Sequence, residues 1–213
     1  MRITILGANG NMGRRIINEA INRGHDVTAV IRHGSEAPLM ELPVKYVHGD
    51  ATDAEEIKRL CCNCDVLVTA TRPQTGHEHE LVKTTALLLK TLAFSSIRLL
   101  ISGGAASLKI PDRDNRLLLD DERYMPRSVL PIGRACLQQY ELCLANDSVD
   151  WTYVSPSALL VAGERSMKFR IGGDELLTDS SGRSHISMED LAVALLDEIE
   201  TPRHIRRRFT VGY

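Results

Sequence analysis

The sequence predicts a single α/β domain, residues 1–213, built on a doubly wound, mostly parallel sheet. Three observations favour this class. Apolar runs of strand length alternate with amphipathic helical segments, and such alternation implies parallel strands joined by right-handed crossovers. The first apolar run leads directly into a glycine-rich turn. The length suits one well-buried core, and no linker-like stretch interrupts the pattern.

The glycine-rich turn lies in residues 3–13, which read Ile-Thr-Ile-Leu-Gly-Ala-Asn-Gly-Asn-Met-Gly. This is the dinucleotide-binding fingerprint of a Rossmann-type sheet. Gly7 allows a sharp turn, Gly10 lets the backbone approach a pyrophosphate, and Gly13 lets the next helix pack closely on the strand. That helix, predicted over 12–23, offers unpaired N–H groups to phosphates. A strand-to-helix turn without a ligand is the alternative. The predicted contacts of this loop are Gly7, Asn9, Gly10, Asn11, Met12 and Gly13.

The end of the second predicted strand, residues 25–31, bears on the choice of cofactor. Arg32 and His33 follow it, and the first acidic residue after this strand is Glu36. An acid at this strand end usually binds the ribose 2′-hydroxyl of NAD(H), whereas a cation accommodates the 2′-phosphate of NADP(H). The sequence therefore favours NADP(H) over NAD(H), with Arg32 and His33 at the phosphate. The alternative is a solvated loop arginine.

Further elements of the first half continue the alternation. Strands are predicted at 44–48, 65–69 and 97–101, and helices at 53–60, with Asp53 as cap, and 77–93. Ligands of open sheets bind beyond the carboxyl ends of the strands. Residues at those ends are therefore predicted to contact the cofactor, namely Asp50, Ala51, Ala70, Thr71, Arg72, Ser102 and Gly103.

The second half is less regular. Residues 105–131 show no clear period and contain three prolines, so we expect a lid, a substrate-binding segment or a partly disordered loop. Beyond it the sequence predicts a helix at 132–145, a strand at 150–154, a hairpin at 167–177, a helix at 187–200 and a last strand at 207–212.

Two details complete this half. Ser187 is predicted to cap the last helix, with Asp190 in the capping-box position. Pro156 and Ser157 follow the sixth strand and are predicted to join the cofactor site. We assign residues 1–104 to a cofactor half and residues 105–185 to a small substrate-side elaboration.

Composition narrows the function classes. The net charge of −2 gives no reason to expect nucleic acid or an anionic membrane as a partner. No signal segment or long apolar run is apparent, which predicts a cytoplasmic protein, either a monomer or a homodimer. Cys61, Cys62 and Cys64 lack a second pair at zinc spacing, so we predict ordinary reduced thiols near a helix end and no metal site.

Several segments together carry a family resemblance, namely residues 7–13, 47–53, 101–108, 151–157 and 172–179. The chain resembles atypical short-chain dehydrogenases of the NmrA-like, NAD(P)-binding group, which includes bacterial proteins described provisionally as NADH-flavin reductases and biliverdin reductase B-like proteins. The resemblance covers most of the chain. It implies a Rossmann-type sheet with the site at the carboxyl ends of the strands.

One expected pair of residues is missing. Active short-chain dehydrogenases use a Tyr-x-x-x-Lys pair, in which lysine lowers the tyrosine pKa so that the phenol exchanges a proton. Here Tyr140 is followed four residues later by Leu144, which has no charge. A core or helix-surface position for Tyr140 is favoured over one facing the site. Ser102, at the end of the fifth predicted strand, is the other candidate catalytic residue, because its hydroxyl could reach a nicotinamide or substrate there; the alternative is that it only caps the loop.

The resemblance and this sparse apparatus favour an NADPH-dependent reductase. Its acceptor would be FMN, FAD, a quinone or a similar flat, conjugated small molecule, and positioning would be the main catalytic contribution. A non-catalytic NADP(H)-binding redox sensor of the NmrA type is the alternative. An isomerase or epimerase is the least favoured class.

Overall fold

Strands and helices alternate through residues 1–36, 43–111 and 113–213, which the computed structural model describes. The strands are β1 (Arg2–Leu6), β2 (Asp26–Ile31), β3 (Lys45–His48), β4 (Val66–Thr69), β5 (Arg98–Ser102), β6 (Trp151–Pro156), β7 (Leu159–Val161), β8 (Arg170–Gly172), β9 (His185–Ser187) and β10 (Arg207–Gly212). The α-helices are α1 (Asn11–Asn22), α2 (Ala54–Cys61), α3 (His79–Thr91), α4 (Leu130–Leu144) and α5 (Met188–Glu200).

The main sheet has eight strands in the order β3-β2-β1-β4-β5-β6-β10-β8, and β7 pairs with β9 separately. Neighbours in the main sheet are parallel except β10 and β8. The chain winds outward from β1 in one direction and then from β4 in the other, which creates the crevice where open sheets bind ligands. The predicted Rossmann-type, doubly wound fold is confirmed.

Helices cover both faces of this sheet. On one face, α1 and α5 bury Ile16, Ile17 and Leu195 against strand residues such as Ile5 and Val68. On the other face, α2, α3 and α4 contribute a second cluster with the strands. The central strands are consequently buried on both sides, which explains why they read as continuous apolar runs.

Residues 105–131 form a small satellite core wherever they are described, which excludes residue 112. Leu108, Leu118 and Met125 are buried there together with Leu176. Two 3-10 turns, Leu118–Asp120 and Arg127–Val129, carry the chain into α4. The sequence left three possibilities open for this segment, namely a lid, a substrate-binding segment or a partly disordered loop. Its described part is ordered and packed around these buried side chains.

The predicted hairpin at 167–177 is wrong. β8 is present, but it pairs antiparallel with β10. After Gly173 the chain does not return along β8 but runs beside Lys109. The Lys109 N–H donates to the Asp174 carbonyl at 2.9 Å, and the Lys109 carbonyl accepts from the Leu176 N–H at 2.8 Å. Residues 167–177 therefore pair with β10 and with the satellite core, and they do not pair with each other across a local turn. The three-residue strands β7 and β9 were not predicted from the sequence.

The helix caps are partly as predicted. The Asp53 carboxylate accepts hydrogen bonds from two N–H groups of α2, and the Ser187 hydroxyl accepts from the Asp190 N–H at 3.0 Å. The Asp190 carboxylate does not complete a capping box, because it accepts from Ser166 at 2.5 Å and from Tyr213 at 2.7 Å. None of the helices in the described ranges has the length and apolar character that crossing a membrane requires.

Candidate functional site

A cavity of about 1280 Å³ opens beyond the carboxyl ends of the central strands. This volume exceeds the roughly 300–1,000 Å³ of a typical small-ligand pocket, so it has room for a dinucleotide and a second molecule. Every predicted site residue except Gly13 lines it, namely Gly7, Asn9, Gly10, Asn11, Met12, Arg32, His33, Asp50, Ala51, Ala70, Thr71, Arg72, Ser102, Gly103, Pro156 and Ser157.

The three fingerprint glycines differ in what surrounds them. Gly7 has a positive φ of 82°, and a Cβ there would lie 2.7 Å from the Ala70 carbonyl oxygen. A Cβ at Gly13 would lie 2.1 Å from the Gly7 carbonyl oxygen, so this glycine serves helix-to-strand packing. Gly10 has an ordinary extended backbone and is exposed at the start of α1. It is the position where a side chain would project into the cavity.

The N-terminus of α1 is suited to an anion. Its N-cap, Gly10, has no side chain to bond the first N–H groups, and the first turn has no acidic residue. Orphan N–H groups and the positive helix end favour a phosphate there. Nearby, the Asn9 side chain donates to the Glu36 carbonyl at 3.1 Å, while its buried Oδ1 has no partner in the described structure. This cradle fits the pyrophosphate of a dinucleotide.

The ends of β2 and β3 form a charged cluster. The His33 Nε2 lies 3.0 Å from a carboxylate oxygen of Glu56, and the other oxygen accepts from the Asp50 N–H at 2.6 Å. These two hydrogen bonds hold the pKa of Glu56 below its usual range, and the bond from the Asp50 N–H has the larger effect. Sequence reasoning missed Glu56, although its position three residues after the Asp53 cap marks it as a candidate capping-box residue.

This arrangement separates the two predicted phosphate ligands. His33 already faces a carboxylate. Arg32 is exposed, and its guanidinium makes no hydrogen bond or ion pair with any residue that the structure describes. Among the two, Arg32 is therefore the cation available for a ligand.

At the far end of the cavity, the turn after β5 forms the floor. Ser102 is half-buried there. A Cβ at Gly103 would lie 2.1 Å from the Tyr153 ring, and one at Gly104 would lie 2.7 Å from the Cys136 sulfur. The backbone of this turn therefore packs directly on β6 and α4.

The cavity-facing side of α4 has no acid or base. It presents Ile132, Gly133, Cys136 and Gln139, which recur at helical spacing. Burial raises the pKa of Cys136 to about 11, so its thiol is protonated at neutral pH and is a poor nucleophile.

Tyr140 points away from the cavity, into the core. Its ring lies 5.1 Å from that of Tyr153 and 6.5 Å from that of Trp151, with the Arg208 guanidinium 4.3 Å from its centroid. The core interpretation of Tyr140 is confirmed. The tyrosine that does line the cavity is Tyr124, which sequence reasoning missed.

Other lining residues also escaped prediction. They come from α3, from the 3-10 region before α4, and from β7 and α5. Helical spacing within α3 was the available signal. The set comprises His79, Glu80, Lys83, Thr84, Leu87, Tyr124, Met125, Val129, Leu159, Leu160 and Met188.

The Ser157 hydroxyl is less available to a ligand than its position after β6 suggests. Its side chain is buried, and its hydroxyl donates to the Val211 carbonyl at 2.9 Å. A larger side chain here, or at Gly103, would disturb the packing of the sheet before it could block a ligand. Neither position is therefore a selective probe of the site.

The clustered cysteines lie away from the cavity, at the opposite edge of the sheet. Cys61 ends α2, and Cys64 donates to the Val66 carbonyl at 2.9 Å. The interaction between the neighbouring thiols of Cys61 and Cys64 lowers the pKa of Cys64 and raises that of Cys61. No group of three or more metal-ligating side chains occurs in the parts of the chain described here.

Comparison with known proteins identifies the family. Residues 7–202 match the family described as NAD(P)H-binding, so the chain belongs to it and the predicted NAD(P)-binding resemblance is confirmed. An uncharacterized protein of Bacillus subtilis, YwnB, is 34% identical over 213 residues, which cover 99% of this chain and 98% of that one.

Two solved structures share the whole fold. A protein from Streptococcus pneumoniae described provisionally as an NADH-flavin reductase is 28% identical, with a TM-score of 0.87, and the match covers 100% of this chain and 99% of that one. A protein from Bacteroides thetaiotaomicron described provisionally as an epimerase is 33% identical, with a TM-score of 0.90, and the match covers 100% and 96%.

Proposed function

We propose that this protein is an NADPH-dependent reductase that transfers hydride to a flat, conjugated acceptor such as FMN, FAD or a quinone. One observation carries the proposal: a single cavity contains both an uncapped helix N-terminus and the Arg32 guanidinium, which forms no hydrogen bond or ion pair with the residues that the structure describes. The same cavity continues into a chamber walled by α3, α4 and the satellite core. The provisional description of the Streptococcus relative supports a flavin acceptor. A Veillonella parvula protein of the same fold, 16% identical, was solved with NADP.

When bound, NADPH supplies the hydride. The glycine loop and α1 would hold the pyrophosphate, Arg32 would bind the 2′-phosphate, and Ser102 with Gly103 would support the nicotinamide end. Apolar side chains that line the cavity, such as Met125 and Leu160, would exclude water from one face of the acceptor. The cavity face of α4 has no acid, and the proton donors on the rest of the lining include His79, Lys83 and Tyr124. In the proposed mechanism the acceptor takes its proton from solvent, and catalysis rests on holding two flat molecules in contact.

The Arg32→Ala variant is expected to bind NADPH about 10- to 150-fold more weakly, the equivalent of one charge-assisted phosphate contact of about 1.5–3 kcal/mol. NADH binding should change little, because NADH has no 2′-phosphate. Both dissociation constants can be measured by nucleotide fluorescence. Arg127→Ala, which removes an exposed arginine outside the cavity, is the control. An unchanged NADPH-to-NADH preference in Arg32→Ala would remove Arg32 from the cofactor site.

Tyr140→Phe is expected to change kcat for flavin or quinone reduction by no more than a few-fold, because Tyr140 is a core residue. Tyr124→Phe is the informative partner, since that phenol does line the cavity. Steady-state kinetics of both variants test the solvent as proton source. A loss of about 10²- to 10⁴-fold in either one would identify a general acid in the protein and contradict the mechanism.

Oxidation of NADPH in the presence of FMN, FAD and small quinones tests the function itself. Tight NADPH binding without oxidation by any of these acceptors would favour the redox-sensor alternative, which the acid-free face of α4 also suits. The absorbance spectrum of the purified protein separates a resident flavin from a flavin substrate. The cytoplasmic location and a monomeric or dimeric state stay predictions.

A further inference from the structure

The turn on the cavity floor is held by side chains of β6. The Gly104 N–H donates to the Tyr153 hydroxyl at 3.0 Å, and the Gly104 carbonyl accepts from the Ser155 hydroxyl at 3.0 Å. Between these two contacts, the Gly103 N–H donates to the Val154 carbonyl at 3.0 Å. Three consecutive residues of β6 thus fix the backbone of two consecutive glycines.

A buried hydrogen-bond chain stands behind Tyr153. Thr85 on α3 donates to the Leu81 carbonyl at 2.8 Å, so its oxygen accepts from the Gln139 amide at 2.9 Å. This orients the Gln139 carbonyl oxygen toward the Tyr153 hydroxyl, 3.3 Å away. The hydroxyl also lies 3.1 Å from the Cys136 carbonyl.

The direction of this chain determines the role of the phenol. Both Gln139 and Cys136 offer acceptors to Tyr153, so its proton is committed to α4 and its oxygen is left to accept from Gly104. Tyr153 is fully buried and does not line the cavity. Burial raises its pKa well above the usual range. It therefore cannot exchange a proton with the acceptor at neutral pH.

We propose that Tyr153 and Ser155 are positioning residues, which hold the turn of Ser102, Gly103 and Gly104 against the nicotinamide end of the bound cofactor. This inference rests on the proposed function. Two adjacent glycines have wide conformational freedom, yet Ser102, Gly103 and Gly104 all line the cavity. The backbone N–H and carbonyl of Gly104 are both hydrogen-bonded, and the Tyr153 ring packs against Gly103. These contacts hold the turn in a single conformation. A reaction that depends on alignment requires that rigidity.

The test compares Tyr153→Phe and Ser155→Ala with Tyr140→Phe, which removes a neighbouring core hydroxyl that does not bond the turn. Each variant is assayed for binding of NADPH and of adenosine 2′,5′-bisphosphate, for kcat and KM with FMN, and for the melting temperature. We expect Tyr153→Phe and Ser155→Ala to lower kcat by about tenfold or more, and NADPH affinity by a smaller factor. Binding of the adenosine fragment should stay within about twofold in all three variants, because it does not reach the turn.

Two results would overturn the inference. One is an unchanged kcat and NADPH affinity in both Tyr153→Phe and Ser155→Ala. The other is an equal loss of NADPH and adenosine-fragment binding alongside a lower melting temperature, which is the signature of general destabilisation. If the wild type reduces none of the acceptors, the proposed function fails. The inference is then still tested by binding, because loss of NADPH affinity without loss of adenosine-fragment affinity would show that these residues position the nicotinamide end.

Discussion

Gly10→Val is expected to weaken the binding of NADPH and NADH by at least about 100-fold while the protein still folds. The branched side chain would occupy the place where backbone N–H groups meet the pyrophosphate, and the loss of two charge-assisted hydrogen bonds costs about 3 kcal/mol or more. The backbone at Gly10, with φ −72° and ψ 163°, is open to any residue. The added Cβ would lie 3.2 Å from the Gly7 carbonyl oxygen, so the loop backbone must shift by a few tenths of an ångström to accept it, and the folding measurement below checks that it does.

The control for this variant is Gly173→Val, since a Cβ at Gly173 meets nothing within 4 Å. Nucleotide binding by fluorescence titration and folding by circular dichroism are measured on both. A folded Gly10→Val variant that binds NADPH as tightly as the wild type would show that the glycine loop is only a turn. Gly13→Val would not make this distinction, because its Cβ collides with the loop backbone itself.

Glu198→Ala is expected to lower the free energy of unfolding by about 3–5 kcal/mol, as the loss of one partner from a buried ion pair does. The Glu198 side chain on α5 is 3% exposed and accepts from Arg98 on β5 at 3.1 Å. It also accepts from the imidazole of His204 at 2.8 Å and from two backbone N–H groups. Removal of the carboxylate would leave these donors and the buried Arg98 guanidinium uncompensated.

Glu200→Ala is the matched control, on the same helix two residues later. Its carboxylate is 37% exposed and pairs with Arg23 at 2.8 Å, so its removal should cost no more than about 1 kcal/mol. Urea unfolding of both variants provides the comparison. Equal, small losses for the two glutamates would show that solvent compensates the Arg98 site and that the pair does not support the fold.

The nucleotide half of the protein was predictable because its signals are local. The turn from β1 to α1 needs glycines within seven residues of one another, and the Asp53 cap lies beside the N–H groups that it satisfies. Apolar runs identify the central strands because both faces of the sheet are covered. Arg32 could likewise be placed from its position after β2, since the carboxyl ends of parallel strands meet at one edge.

Predictions failed where local and distant partners competed. The Gly172–Gly173 pair suggested a hairpin, yet β10 provided a better partner for β8. Asp190 fits a capping box by spacing, yet Tyr213 and Ser166 take its carboxylate. Such outcomes depend on which neighbours the completed fold supplies.

The sequence by itself predicted a Rossmann-type sheet that begins with a dinucleotide-binding fingerprint, and it indicated which strand ends would form the site. Only the tertiary structure decided what the acceptor end is made of. There, Gly104 meets Tyr153 and Thr85 meets Gln139 across separations of 49 and 54 residues. Contacts at such separations follow from how α3 and α4 pack on the sheet, and hydrophobic periodicity specifies the buried face of a helix without specifying its partner.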